Sequence, residues 1–339
     1  MTLKYSTGSL ILTAFLSLAL FLITIPQDGS AQVSRLKVAY PTTVGSMAVL
    51  WITKEAGLFE KYGLDVTLIY IGGASKVVQA MLAKEIPVSE IAVPPVIQAN
   101  LAGADLVMLA GPNHKPGQKL MVNSEIKSLS GLKGKRLGVT RFGGSDDFLL
   151  RYILIKWGLQ PGREVALIQM GGSQEIVLGL ASGSIDGGFI SSPLNLRAVK
   201  LGFHMLVDSS AMGIEYQGAG VVSSRSYVRD NPDIVRRYLK AYVEGLHRFK
   251  TDKEFSLRVL ARYSRTTEQE MLEETYQHYA VNVMPRVPYP TMKGIQLVLD
   301  EIGSQNSKAA EVSAASLIDT SYLQEIENSG FIKTLYGNR

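Results

Sequence analysis

The sequence predicts an α/β fold built as two similar lobes, on three observations. Short aliphatic segments alternate with helical ones from residue 36 to about residue 206. A strand–turn–helix pattern occurs twice, the second copy about 98 positions after the first. Beyond residue 224 the strand signals stop and amphipathic helices take over. Alternation of strands and helices belongs to parallel βαβ units. A chain that builds the same series twice is expected to have two lobes with a crevice between them, and to close on something.

Strands are expected over 36–40, 65–71, 90–93, 106–109, 136–140, 165–169, 187–190 and 205–207. All are short and aliphatic or β-branched, as strands covered on both faces tend to be. Helices are expected over 46–60, 75–84, 95–102, 145–157, 173–182 and 193–201. The repeat aligns Lys37–Ser46 with Arg136–Ser145, Gly73-Ala74-Ser75 with Gly171-Gly172-Ser173, and Pro94-Pro95 with Ser192-Pro193. Val122-Asn123-Ser124 and Val221-Val222-Ser223-Ser224 read as crossings between lobes. After the second crossing, Asn231-Pro232-Asp233 opens a helix, with Asn as cap and Pro in the first turn. Apolar residues then recur at helical spacing from Ile234 to Leu246. Further helices are expected over 254–263, 267–279, 289–302 and 321–329, the last closed by Gly330.

The N-terminus reads as a targeting segment. One basic residue, Lys4, precedes a 16-residue apolar run from Leu10 to Ile25, followed by small residues at Gly29 and Ala31. This pattern suits a signal peptide over 1–31 cut before Gln32, which would place the protein in the periplasm. A retained anchor is the alternative, although a spanning helix usually needs about 20 residues. The sequence contains no cysteine, which excludes disulfides, thiolate metal sites and a lipid-modified cysteine. The net charge of +5 is dispersed, with no Lys/Arg block of the kind a nucleic-acid binder shows.

Candidate binding residues gather at the glycine-rich turns. Ser46, Ser75, Ser145 and Ser173 each stand where a helix begins just after a strand. A serine there either caps the helix or helps free N–H groups hold an anion at the positive end of the helix dipole. In open parallel sheets ligands bind beyond the carboxyl ends of the strands, where these turns lie. Four such serines in paired positions put at least two in contact with ligand. Arg141, in the second glycine-rich turn, either clamps a carboxylate, sulfonate or phosphate with two N–H bonds or is a solvated loop arginine. Asp146 and Asp147 match the dipole of their helix and compete with an anion bound there. Asn113 and His114 follow a strand toward the crevice. Phe142, Tyr40 and Phe189 offer apolar surface, with a core role expected for Tyr40 and Phe189.

Enzyme readings find little support. His114, His204, His247 and His278 do not pair at metal-ligand spacing. No G-x-S-x-G elbow, GxxxxGK[ST] loop or G-x-G-x-x-G after a strand is present. No cofactor is expected.

The segments 36–75, 128–145, 180–193, 231–246 and 319–332, in this order behind an apolar leader, resemble the periplasmic solute-binding proteins of ABC importers in the nitrate/sulfonate/taurine group. That superfamily also holds the thiamine-pyrimidine precursor proteins. The resemblance implies a two-lobe type II periplasmic-binding fold, mostly parallel sheets flanked by helices, with two hinge crossings. Lobe one would span 33–123 and 224–339, and lobe two 124–223. It implies a monomer that captures a small organic anion by hinge closure and delivers it to a membrane permease. A pyrimidine-like or aromatic ligand, a sensory role, or an enzyme on the same fold are the alternatives. Ligand contacts would come from Thr42, Thr43, Gly45, Ser46, Gly73, Ala74, Ser75, Pro94, Asn113, Arg141, Gly144, Ser145, Ser173, Ser191 and Ser192. Three departures stand out. Ser191-Ser192-Pro193 replaces a common aromatic-Asp-Pro segment. Residues 85–89 replace a common Gly-x-x-Asp. The cysteine cluster of the pyrimidine-synthesising relatives is missing.

Overall fold

The computed structural model describes residues 1–2, 33–304 and 306–337. The apolar run and the expected cleavage before Gln32 lie outside the described residues. Among those described, no helix is long and apolar enough to cross a membrane.

Among the described residues ten strands form two five-stranded sheets. The strands are β1 (Ser34–Tyr40), β2 (Leu64–Tyr70), β3 (Val88–Ile91), β4 (Leu106–Ala110), β5 (Gln118–Val122), β6 (Arg136–Val139), β7 (Ala166–Gln169), β8 (Gly187–Ser191), β9 (His204–Asp208) and β10 (Gly220–Ser224). The first sheet has the order β2-β1-β3-β10-β4 and the second β7-β6-β8-β5-β9. β1 runs parallel to β2 and β3, as β6 does to β7 and β8. In each sheet the fourth strand is antiparallel to both neighbours, β10 in the first and β5 in the second. The duplication seen in the sequence is therefore a duplication of sheet topology.

Of the two antiparallel strands, β10 covers the segment 221–224 read as a crossing and belongs to the first sheet, whereas β5 ends at Val122, where the other crossing was expected. The chain passes from the first sheet to the second between Ala110 and Gln118, and returns between Asp208 and Gly220. β5 pairs with β8 and β9, so 118–122 lies in the second sheet, whereas the sequence grouped it with the first lobe. Its apolar pattern would suit either sheet. The choice is made by hydrogen bonds to residues about 65 to 90 positions away, which leave no local trace.

Helix boundaries shift for local reasons. The helix expected over 46–60 is a 3₁₀ turn Gly45–Met47, a helix Ala48–Glu55 and a short helix Leu58–Lys61. Gly57, at φ 66°, breaks it in the left-handed region that glycine tolerates. β3 ends before Val93 because Pro94 and Pro95 sit in the first turn of a helix, Val93–Leu101. The helix Pro232–Thr251 buries Val235, Tyr238, Leu239, Tyr242, Val243 and Leu246 on one face, as the spacing predicts. Asn231 precedes it without capping it; its amide donates back to the Tyr227 carbonyl at 3.1 Å. The helix expected over 267–279 is α-helical over Gln269–Tyr276 and then π-helical over Gln277–Val283.

The core of the first sheet centres on Trp51, Phe59, Tyr238 and Tyr242. Phe59 stacks on Tyr238 at 5.1 Å between ring centres. A second apolar cluster joins Val77, Val96 and Met108 of the first sheet and its helices to Leu120, Val139 and Leu149 of the second. The two sheets are thus packed through a continuous apolar layer, which holds the turns at their strand ends close together.

Candidate functional site

The carboxyl ends of β1, β3, β6 and β8 and the helix starts at Ser46, Ala74, Ser145 and Ser173 converge on a cavity of about 100 Å³. Both sheets supply its walls. An apolar cavity of about 150 Å³ holds benzene, so this space is on the scale of one small ring.

Eight of the expected contacts line it: Thr42, Ser46, Gly73, Ala74, Asn113, Ser145, Ser173 and Ser191. Seven expected contacts are not part of the lining: Thr43, Gly45, Ser75, Pro94, Arg141, Gly144 and Ser192. Several of these seven tie the two halves together beside it. The Gly45 N–H donates to the Ser192 carbonyl at 3.1 Å. The Ser75 hydroxyl donates to the Phe142 carbonyl at 2.9 Å. Arg141 packs on the Gly72–Gly73 turn, its Nε 3.4 Å from the Gly72 carbonyl. It therefore spans two turns instead of pointing into the cavity. Gly45 admits close packing: a Cβ there would lie 2.4 Å from Thr275 Cγ2 and 2.5 Å from the Tyr279 ring.

None of the four helix-start serines caps its own helix through its side chain. Their hydroxyls reach across instead. Ser173 Oγ meets Thr42 Oγ1 at 3.1 Å, and Ser145 Oγ meets the Tyr216 hydroxyl at 2.7 Å. Ser46 and Ser191, one from each half, both hydrogen-bond the Tyr279 side chain. Burial pushes the Tyr216 and Tyr279 hydroxyls well up, so both are neutral at physiological pH.

Sequence reasoning missed several lining residues: Lys115, Gln118, Thr140, Tyr216 and Tyr279. Tyr216 lies in the return between sheets and Tyr279 in the π-helical turn, neither marked by glycine or a strand end. A π-turn often marks a functional position, but nothing in the local sequence announced this one. Asp146, an acid in the first turn of its helix, also lines the cavity. Phe189 fills both roles, 2% exposed yet part of the wall. His114 is bound to the Tyr289 carbonyl at 2.7 Å and is not part of the lining.

Asp146 dominates the electrostatics. Its carboxylate accepts the Thr140 N–H at 2.5 Å and the Thr140 hydroxyl at 2.8 Å. It also takes its own backbone N–H. Burial lifts its carboxyl to about 6; the Thr140 bonds oppose the rise and Asp147 adds to it. The helix start at Ser145 thus already carries a carboxylate where an anion would bind. An oxyanion 4 Å from an ionised Asp146 would meet a repulsion on the order of 4 kcal/mol at an effective dielectric near 20. Lys115, an exposed residue, is the one basic member of the lining among the described residues. Among those residues no group of three or more His, Asp or Glu stands placed to hold a metal ion.

Comparison with known proteins fits this architecture. The profile of the NMT1-like family matches residues 29–262. A protein of Brucella abortus named as a binding protein is 28% identical over 256 residues, covering 74% of this chain and 77% of its own. The alkanesulfonate-binding protein SsuA from Xanthomonas axonopodis, solved with MOPS, superposes with a TM-score of 0.72 at 20% identity, over 86% of this chain and 100% of that one. The nitrate-binding protein NrtA from Synechocystis gives 0.69 at 16% identity, over 88% and 89%. The fold is that of the periplasmic binding proteins.

Proposed function

The chain belongs to the NMT1-like family, and from that premise we propose that it is the extracytoplasmic binding subunit of an ABC importer. It captures one small solute between two lobes and presents the closed form to a membrane permease. The observation that carries this reading is the cavity itself, walled from both sheets at the strand ends where such folds bind ligands. We divide the lobes where the chain passes between sheets: lobe one is 33–110 with 220–337, and lobe two is 118–208. Segments 111–117 and 209–219 are the hinges. The leader over 1–31 exports the chain.

Thr42, Ser46, Asn113, Ser145, Ser173 and Ser191 supply hydrogen bonds to the solute. Capture needs no bond making, so the protein acts as a binder and not as an enzyme. A small organic anion would have to rely on Lys115 against Asp146. A pyrimidine-like or other aromatic solute is favoured by the Phe189, Tyr216 and Tyr279 side chains around the cavity, and it fits the volume.

The test is a thermal-shift and small-angle scattering screen of protein refolded to strip bound solute. A solute at 100 times its Kd stabilises the fold by about 2.7 kcal/mol, and closure reduces the radius of gyration. A folded protein whose midpoint and radius stay fixed against sulfonates, nitrate, carboxylates, amines and aromatic heterocycles would refute the reading.

A further inference from the structure

Tyr279 is seated at the cavity wall between two glycines. A Cβ on Gly45 would lie 2.5 Å from its ring, and one on Gly117 would lie 2.7 Å from its hydroxyl oxygen. Neither position could carry a side chain with the ring where it is. From this seat the hydroxyl reaches Ser46, after β1 of the first sheet, and Ser191, at the end of β8 of the second. The backbone that carries the ring is the π-helical turn Gln277–Val283. The last carbonyls of a helix have no partner within it. Here two of them are met from outside. The Lys250 ammonium donates to the Ala280 carbonyl and to the Met284 carbonyl, the latter at 2.6 Å. The Met284 N–H in turn donates to the Tyr279 carbonyl at 3.0 Å. On the near side of the turn the Tyr276 hydroxyl donates to the Lys250 carbonyl at 3.1 Å. Lys250, next to last in the helix Pro232–Thr251, therefore grips the turn on both sides of Tyr279. It is half-buried and is not part of the cavity lining. Burial lowers its ammonium, and Arg286 adds to this. A cation so placed is kept by its hydrogen bonds, and both of them go to the turn.

We propose that Lys250 is a positioning residue for solute capture: by holding the carbonyls of the π-turn it seats Tyr279 between the two sheets, where the tyrosine hydroxyl joins Ser46 to Ser191. This rests on the reading that the cavity is the solute site. Lys250 touches no solute and acts through Tyr279. Without its ammonium the Ala280 and Met284 carbonyls turn toward water, the turn relaxes, and the ring leaves the seat between Gly45 and Gly117. The bridge from Ser46 to Ser191 is then lost, and with it part of the closed cavity wall.

The experiment incorporates 3-fluorotyrosine and follows fluorine NMR, with the Tyr279 resonance assigned as the one lost in Tyr279→Phe. Lys250→Met is expected to move or broaden that resonance more than any other. Lys250→Gln, which keeps one donor group, is expected to do so less, and it carries the test if Lys250→Met does not fold. A folded variant that keeps the wild-type Tyr279 resonance would overturn the proposal. Calorimetric titration with benzamidine, propanesulfonate and nitrate reads the consequence for binding. For a probe that binds the wild type, Lys250→Met and Tyr279→Phe are each expected to weaken binding about tenfold. The double variant is expected to bind no worse than Tyr279→Phe alone, because the two residues act as one unit. Additive losses would show that Lys250 acts elsewhere, and would overturn the inference while leaving solute binding intact. Binding of none of the probes, with no closure, would overturn the solute-site reading, and the Tyr279 resonance would still decide the positioning.

Discussion

Thr42 and Ser173, 131 positions apart in the chain, place their hydroxyl oxygens 3.1 Å from each other at the cavity wall. Thr42 follows β1 of the first sheet, and Ser173 opens the helix after β7 of the second. Their contact closes one side of the space between the sheets. A hydrogen bond of this kind contributes about 1 kcal/mol net. The variant Thr42→Val/Ser173→Ala is expected to bind solute about five-fold more weakly, with a thermal midpoint close to wild type when no solute is present. Titration calorimetry beside a melting curve separates the two. Unchanged affinity would mean that the pair does not take part in closure.

The Asp146 carboxyl sets a pH dependence in two opposing directions. Burial raises it above its ordinary value to about 6. The folded state therefore holds this proton more tightly than the unfolded one. The stability from the neutral form is complete below about pH 4 and is lost as pH rises through 6. Binding of an N–H-bearing solute runs the other way, since the ionised carboxylate is the better acceptor. Charged and titratable neighbours are Asp147, Tyr216 and Lys115. Affinity for benzamidine, which stays cationic across this range, is expected to rise between pH 5 and 7, and Asp146→Asn to flatten the profile. A wild-type profile that falls over that range would contradict this role of Asp146.

Glu90, in β3 and fully buried, is a second acid held neutral, away from the cavity. The Tyr242 hydroxyl donates to its Oε1 at 2.8 Å, while Oε2 has no partner. Burial lifts the carboxyl to about 8, with the Tyr242 bond opposing the rise. Tyr238 and Tyr242 both face it, and burial holds both well up as neutral phenols. The sign is that of a raised acid: its contribution is full below the ordinary glutamate range and is lost as pH climbs toward 8. The loss is on the order of 1.4 kcal/mol for each pH unit in that window. Glu90→Gln should remove the slope and make the protein more stable than wild type at pH 8. Urea unfolding at pH 5 and pH 8 reads this directly. Parallel pH profiles for the two proteins would show that Glu90 is ionised in the fold.

The sequence carried the α/β class and the duplication because both are written locally. β1 and β6 are short aliphatic runs ending in glycine-rich turns, and the helices after them begin at fixed offsets. It located Thr42, Ser46, Ser145 and Ser173 at the cavity for the same reason. The seat of Arg141 was not legible, because a flexible cation in a turn points wherever the opposite turn allows, and here Gly72 and Gly73 offer it a place. β5 went to the wrong side because sheet membership is decided by distant partners. Tyr216 and Tyr279 reach the cavity from the return between the sheets and from the π-turn, by packing between segments whose proximity only the tertiary fold creates. Asn113 was legible as a residue after a strand, but its amide is oriented by the Ser46 and Ala219 carbonyls, which no sequence pattern encodes.

Lys119 and Glu274 tie β5 to the helix Gln269–Tyr276 by an ion pair at 2.6 Å, with the lysine side chain 10% and the glutamate 30% exposed. Glu274 Oε2 has no second partner, so the pair depends on one bond. Removing the lysine strands a mostly buried carboxylate, a loss of roughly 1.5–3 kcal/mol for a charged group left without its partner. Removing both charges with apolar side chains should return much of this, because the pair bears its own desolvation cost. Lys119→Met is therefore expected to destabilise by that amount, and Lys119→Met/Glu274→Leu to be closer to wild type. His278 gives an independent readout. Burial lowers its imidazole and the Lys119 charge lowers it further, while Glu274 and Asp208 pull the other way. In Lys119→Met the His278 ring should titrate at higher pH, visible in its NMR shift. If the ring titrates as in wild type while stability falls, the loss comes from packing of the lysine stem and not from its charge.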